Sequence, residues 1–432
     1  MFETFRNAWK IEDLRKRLLY TLLIIVLFRL GCAIPVPFIN AGSLGAMFET
    51  GNMLTYLNMM SGGALSQCTL FALGVTPYIN ATIIIQLLCV AIPYLENLTR
   101  EGEEGRRKIS MISKVTGAVI ALIMAIGYYF VLRRSGVLSV TEGAAQWFAA
   151  IVIIACFVAG AQLTVWLGEQ IDANGIGSGL SLLIFAGIVS RWSGVTTTVT
   201  GVIARAQAGQ PLYYFVLPLL LVLAVVAVVF VVVLNNGERR IPVQYAKKVV
   251  GRKMYGGQNS YIPIKVSMSG VMPIIFASAL CSIPGTLGSF INVDYNAHPI
   301  IYNFLHSFNY TSPVYVVLYL LLIVAFNYFY VAIQYNPMEI ANNLRKNSGT
   351  IPGIRPGKPT SDFITRVLNK ITLLGAAYLA IVAALPIILG NATGISIQLG
   401  GTSLLIVVGV ALETGRTLES YMLMRHHKGF LE

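Results

Sequence analysis

Charge is scarce in this chain. Only 11% of its 432 residues are Asp, Glu, Lys or Arg, and just 18 are acidic. A water-soluble fold of this length exposes far more charge, so that class is excluded. The five cysteines, Cys32, Cys68, Cys89, Cys156 and Cys281, are scattered, mostly in apolar stretches, with no CxxC pair. That excludes a disulfide framework and leaves small buried hydrophobes. The four histidines, His298, His306, His426 and His427, stand at no ligand spacing from a cysteine or carboxylate, which argues against a metal centre. H-E-x-x-H, G-x-S-x-G and G-x-x-x-x-G-K-[ST] are all missing, so no hydrolase or nucleotide-binding motif is offered. The glycine-rich run Asn174–Gly179 has no lysine and joins two apolar runs, which reads as a tight turn.

What is abundant is apolar sequence: 56% of residues are hydrophobic and the mean hydropathy is +0.71. A helix needs roughly 20 mostly apolar residues to cross a bilayer. Ten runs qualify, near 18–38, 75–95, 114–132, 147–168, 178–197, 213–234, 269–289, 313–335, 367–389 and 400–421. The expected class is an all-α polytopic membrane protein. The first run is long, has no small-residue cleavage site, and is read as a retained span. The segment 61–74, SGGALSQCTLFALG, is apolar but too short to cross, and reads as a re-entrant or half-membrane element.

Lys and Arg are confined to alternate loops. Segments 1–17, 96–114, 236–268 and 336–370 hold five, five, seven and six of them, and Arg416, Arg425 and Lys428 follow. Segments 39–60, 291–312 and 390–399 hold none. The positive-inside rule then puts both termini and the basic loops in the cytoplasm, and ten is the even count of spans that fits. The net charge of +13 is therefore largely a topology signal. The same basic face also suits an acidic partner, anionic headgroups or structured RNA. Mid-span charge is nearly absent, apart from Arg29 and Glu413, so no coupling-ion site for a secondary transporter is evident. Asn80, Gln86, Gln162, Asn327 and Gln334 lie within spans; they either pair between helices or face a water-filled path.

Two basic loops are long. In 236–268, β-branched and aromatic residues mix with charge from Arg240 to Val250, which predicts a short hairpin. In 336–370, Ile351–Pro359 holds three prolines and two glycines, which predicts a stiff, shaped tip. Both read as docking surfaces.

Several long blocks carry a resemblance: GEQIDANGIGSGLSLLIFAGIV (168–189), ERRIPVQYAKK (238–248), IPGIRPGK (351–358), GGTSLLIVVGVALET (400–414) and TPYINATIIIQLL (76–88). In this order they resemble the SecY/Sec61 alpha family over essentially the whole chain. The resemblance implies ten transmembrane helices in two pseudo-symmetric five-helix halves, 1–200 and 201–432, plus a re-entrant plug helix at about 61–74. It implies a passive channel, not an enzyme and without a cofactor, that conducts unfolded polypeptides and releases hydrophobic segments sideways into lipid. The site would be the cytoplasmic membrane of a bacterium.

Residue by residue, the resemblance implies a pore ring of Ile79, Ile83, Ile184, Ile188, Ile275 and Ile406. Any one of these isoleucines, taken alone, reads as ordinary core or lipid-facing packing. Gly62, Gly63 and Gly74 would hinge the plug. Spans two and seven, and three and eight, would form a lateral gate carrying Gln86 and Asn327. Arg239, Arg240, Lys247, Lys248, Arg355 and Lys358 would dock the ribosome or the SecA motor ATPase. SecE and SecG would be small membrane partners, and signal peptides and nascent or unfolded preproteins the cargo. A solute transporter and a non-opening insertase are the competing readings. Arg29 is expected to snorkel to the outer surface.

Overall fold

The computed structural model describes residues 6, 8–40, 58, 61, 63–140, 143–190, 193–207, 213–245, 248–250, 253–255, 259–291, 312–393 and 401–426. Among these, the chain is a helical bundle with a three-stranded sheet and a separate two-stranded one. The helices are α1 (Glu12–Gly31), α2 (Thr76–Ala91), α3 (Pro93–Arg100), α4 (Glu103–Arg134), α5 (Ala144–Asn174), α6 (Gly179–Ser190), α7 (Ser193–Gln207), α8 (Tyr213–Asn236), α9 (Met272–Ile291), α10 (Pro313–Gln334), α11 (Pro337–Lys346), α12 (Lys358–Thr393) and α13 (Gly401–His426).

Stretches on α4, α5, α10 with α11, and α12 are each long and apolar enough to cross a membrane. The pair α2 and α3 makes a fifth, bent by 104°. Pro93 stands at the break, where it cannot supply an N–H to continue α2. The remaining apolar helices, α1, α6 with α7, α8, α9 and α13, are consistent with ten spans. Many large side chains on the bundle face outwards, including Leu22, Ile123, Phe148, Leu221, Val225 and Leu321. A helix that is apolar all round suits lipid.

Helix contacts fall into two sets. In the first, α2 packs on α4, α4 on α5, and α1 on α5 and α6. In the second, α10 packs on α9 and α12, and α13 on α8 and α12. Apart from α7, which continues α6 and packs on α8, the sets meet along α6 against α13 and along α9 against α2 and α4.

The α5–α6 turn shows why glycine recurs there. A Cβ on Gly179 would lie 1.9 Å from the Gly168 carbonyl oxygen, and Gly177 has φ +86°. Asp172 Oδ1 accepts the Gly179 N–H at 2.7 Å, capping α6. Burial raises the Asp172 carboxyl above its usual range, and the Gly179 bond opposes that rise. Arg29 is partly exposed, and its Nη1 is buried with no hydrogen-bond partner among the described residues.

The sheet has the order β4–β1–β5, with β1 (Glu238–Tyr245), β4 (Asn259–Lys265) and β5 (Gly349–Thr350). β1 runs antiparallel to β4 from Glu238↔Lys265 to Gln244↔Asn259. β2 (Lys248–Val250) and β3 (Lys253–Tyr255) pair beyond it, so the hairpin is longer than Arg240–Val250. β5 belongs to the other basic loop and pairs with β1 at Gln244↔Thr350 and Tyr245↔Gly349. The two loops thus share one sheet, over a core of Ile241, Val243, Ile264, Leu344, Ile351 and Ile364.

Candidate functional site

The six isoleucines expected to form a ring come from four helices: Ile79 and Ile83 from α2, Ile184 and Ile188 from α6, Ile275 from α9, and Ile406 from α13. None is more than 8% exposed, and all belong to one contiguous apolar core. The i,i+4 spacing puts each pair on one helix face. A cavity of about 710 Å³ opens at the end of the bundle that bears the basic loops. Lys265, Gln334, Glu413 and Arg416 give it polar walls, and its lining also includes Ile275 and Val410 of the apolar core. A polar-walled cavity therefore borders the apolar core.

Arg416 also fixes the wall. Its Nη2 donates to the Asn235 carbonyl oxygen at 2.8 Å and to Asn236 Oδ1 at 2.7 Å. Those acceptors end α8, where backbone carbonyls lack helical partners and a cation is favoured.

At the seam of α9 with α2 and α4, one polar bond crosses from the first set of helices to the second. Tyr330 Oη on α10 donates to Gln86 Oε1 on α2 at 2.6 Å. The Tyr330 ring packs on Phe276 of α9, with centroids 5.1 Å apart, and Phe276 meets Phe326 at 6.1 Å. Asn327 is engaged elsewhere. Its Nδ2 donates to the Thr372 carbonyl oxygen at 2.9 Å, and its Oδ1 accepts from Ser269 Oγ. It braces α10 to α12 within the second set. Tyr330 was hidden in the sequence because it is one of several aromatics in FNYFYVAIQ.

The segment 61–74 is a run of successive turns over its described residues, not the regular half-helix expected of it. Gly63 and Gly74 have φ +89° and +53°, a region costly for other residues. Gly62 lies outside the described residues. Phe71 stacks on Phe28 of α1 with centroids 5.7 Å apart.

The predicted docking residues divide as follows. Arg239 and Arg240 are exposed on β1. Arg240 Nε donates to Glu238 Oε1 at 2.6 Å, and its guanidinium lies 4.8 Å from the Tyr261 ring centroid. Lys248 lies in β2, and Lys247 is outside the described residues. Arg355 and Lys358 are exposed on the tip. The tip is built by Ile354 N–H to the Ile351 oxygen at 3.0 Å, Thr360 Oγ1 to the Arg355 oxygen at 2.8 Å, and left-handed Gly353 and Gly357.

A bundle of apolar helices with outward-facing apolar side chains, and a polar-walled cavity bordering its core, fits a polytopic membrane protein. Comparison with known proteins gives the family. The SecY family model matches residues 69–415. The "Protein translocase subunit SecY" of Thermotoga maritima is 38% identical, over all of this chain and 98% of that one. The protein of the same description from Bacillus subtilis is 40% identical over the whole of both chains. A solved structure described as "The structure of a protein conducting channel" superimposes with a TM-score of 0.66 at 20% identity, covering 94% of this chain and 92% of that one. "Sec61 in the Canine ribosome-channel complex from the endoplasmic reticulum" gives a TM-score of 0.63 at 20% identity, with the same coverage. The chain belongs to the SecY family.

Proposed function

We propose that this chain is the pore-forming subunit of a general secretory translocon, a passive channel for unfolded polypeptides. The observation that carries the reading is the six buried isoleucines, brought from four helices into one core. As a ring they would grip a passing chain without hydrogen-bonding it, and would disfavour a continuous file of water and ions. Residues 1–200 and 201–432 would act as two halves, matching the two sets of helix contacts, with the plug at 61–74 closing the idle pore.

The seam of α9 with α2 would be the lateral gate. A sufficiently apolar signal peptide or transmembrane segment would leave through it, driven by transfer worth roughly 25 cal/mol per Å² of apolar surface. Opening that seam breaks the Tyr330–Gln86 bond, so this pair sets part of the threshold for opening. Tyr330→Phe keeps the ring and loses the bond, worth about 1 kcal/mol net, so gate opening should rise roughly fivefold. Export of a precursor with a weakened signal should rise with it, measured as protease-protected product in vesicles. No gain from a folded variant would remove Tyr330 from the gate.

The orientation is that of a bacterial cytoplasmic membrane protein, with the termini and basic loops inside. The shared sheet and the 351–358 tip would receive the ribosome or the SecA motor, and SecE and SecG would lie against the lipid-facing helices. Driving force would come from these partners, because the chain carries no nucleotide-binding motif. The test is reconstitution with the small clamp subunit in proteoliposomes, with motor, ATP and an unfolded signal-bearing precursor. ATP-dependent protection of the precursor inside is the expected result. Absence of protection with folded protein and active motor would overturn the motor-driven channel.

A further inference from the structure

The span amides Asn80, Gln86, Gln162, Asn327 and Gln334 need either a partner on another helix or a place on a wet path. Gln86 accepts from Tyr330, and Asn327 is bonded through both atoms of its amide. Gln334 lines the polar-walled cavity, and Gln162 is only partly buried. Asn80 takes neither route. It is 8% exposed, and its Oδ1 is buried with no hydrogen-bond partner among the described residues. A bare amide oxygen in an apolar core is costly, and buried polar groups are nearly always paired.

Asn80 stands on α2 between Ile79 and Ile83, both members of the proposed ring. At about 100° per residue it lies about 60° round the helix from Ile83. Other faces of α2 are taken. Tyr78 and Ala81 form the seat of α4: a Cβ on Gly117 would lie 3.4 Å from the Tyr78 Cα and 3.6 Å from the Ala81 Cβ. Gln86, which bonds to α10, lies about 120° round from Asn80. On the Asn80 face itself the helix is more open further along. Ile84 and Leu87, at i+4 and i+7, are 37% and 36% exposed. Accessibility on that face stops at Asn80, level with the ring.

A polypeptide in transit brings an N–H at every residue except proline. Isoleucine side chains can pair none of them. We propose that Asn80 Oδ1 accepts hydrogen bonds from successive backbone N–H groups of the chain in transit, at the level of the ring. This rests on the channel reading. In the empty channel the oxygen is bare, which raises the energy of the closed core. In the occupied channel it is paired. The difference favours occupancy whatever the cargo sequence, because the donor belongs to the backbone.

The first arm of the test is contact. The full chain is reconstituted with its native cysteines replaced by alanine, and a precursor carrying one cysteine is stalled in mid-transit by a folded domain at its end. Asn80→Cys should form a disulfide with the stalled precursor. Ala81→Cys, buried on the side of α4, should not. Ile83→Cys is the reference for the ring. A bond from Ile83→Cys with none from Asn80→Cys would overturn the inference and leave the channel reading intact. If neither bonds, the channel reading falls, and the inference with it.

The second arm is energetic. Asn80→Leu keeps an apolar side chain of similar length and removes the acceptor. Its empty channel should melt no lower than the parent, and transport should slow roughly fivefold, the change expected from one lost hydrogen bond. Asn80→Ser, which keeps an acceptor oxygen, should recover most of that rate. Parental transport by a folded Asn80→Leu protein would overturn the inference. So would a fall in its melting temperature, which would mean that the amide is already paired at rest.

Discussion

Asparagine at Ile83 or Ile406 should make the resting membrane leak ions, if the six isoleucines ring the pore as proposed. Both side chains are 2% exposed in the central apolar core, where an amide finds no apolar substitute for water. An unpaired amide in such a site costs roughly 1–3 kcal/mol, and drawing water in recovers that cost. Each added water shortens the dry stretch that an ion must cross, so conductance of the idle channel should rise about tenfold or more. Glycine at the same positions acts by a different route, removing the side chain and leaving a gap. Both changes should also relax the demand for a strong signal sequence. Planar-bilayer recordings and export of a signal-defective precursor measure the two effects. Folded variants with unchanged conductance and unchanged stringency would sink the ring assignment.

Arg355→Glu should disable motor-driven translocation without unfolding the bundle. Arg355 is exposed, and no ion pair involves its side chain among the described residues. The fold loses little when it changes, because the tip is built from backbone turns and a buried Ile351. At an interface the reversal sets like charges together, a cost of about 2 kcal/mol that would cut transport roughly thirtyfold. The thermal melt should stay where it is. Normal ATP-dependent transport by the Arg355→Glu protein would reject the role, and rescue by a motor variant of opposite charge would strengthen it.

The membrane class was legible because lipid leaves so few solutions. Backbone groups cannot go unpaired in hydrocarbon, so long apolar runs become helices almost regardless of detail. The burial of Ile79 and Ile275 follows from their apolar character, but the proposal that they belong to a ring rests on the family resemblance, since either alone reads as any buried aliphatic residue. Contacts between distant segments were not legible. β5 is two residues long, and Gln244 and Thr350 meet across two apolar helices, which no local period announces. Tyr330 and Tyr128 look like other tyrosines until their partners on α2 and in the 61–74 segment are known. For the same segment, the family resemblance implies a plug half-helix. Left-handed Gly63, Cys68 and Gly74 and backbone bonds to 34–36 hold it in turns instead.

The shared sheet has a mechanical consequence. β1 follows α8, β4 leads into α9, α11 joins α10 to β5, and the tip feeds α12. Four helices of the second set are thus rooted in one slab only three strands wide. A partner gripping that slab holds a handle: a twist applied there turns these helices together, like a door swung by its knob. The work of opening the seam would then be delivered at the water's edge, far from the apolar core it acts upon.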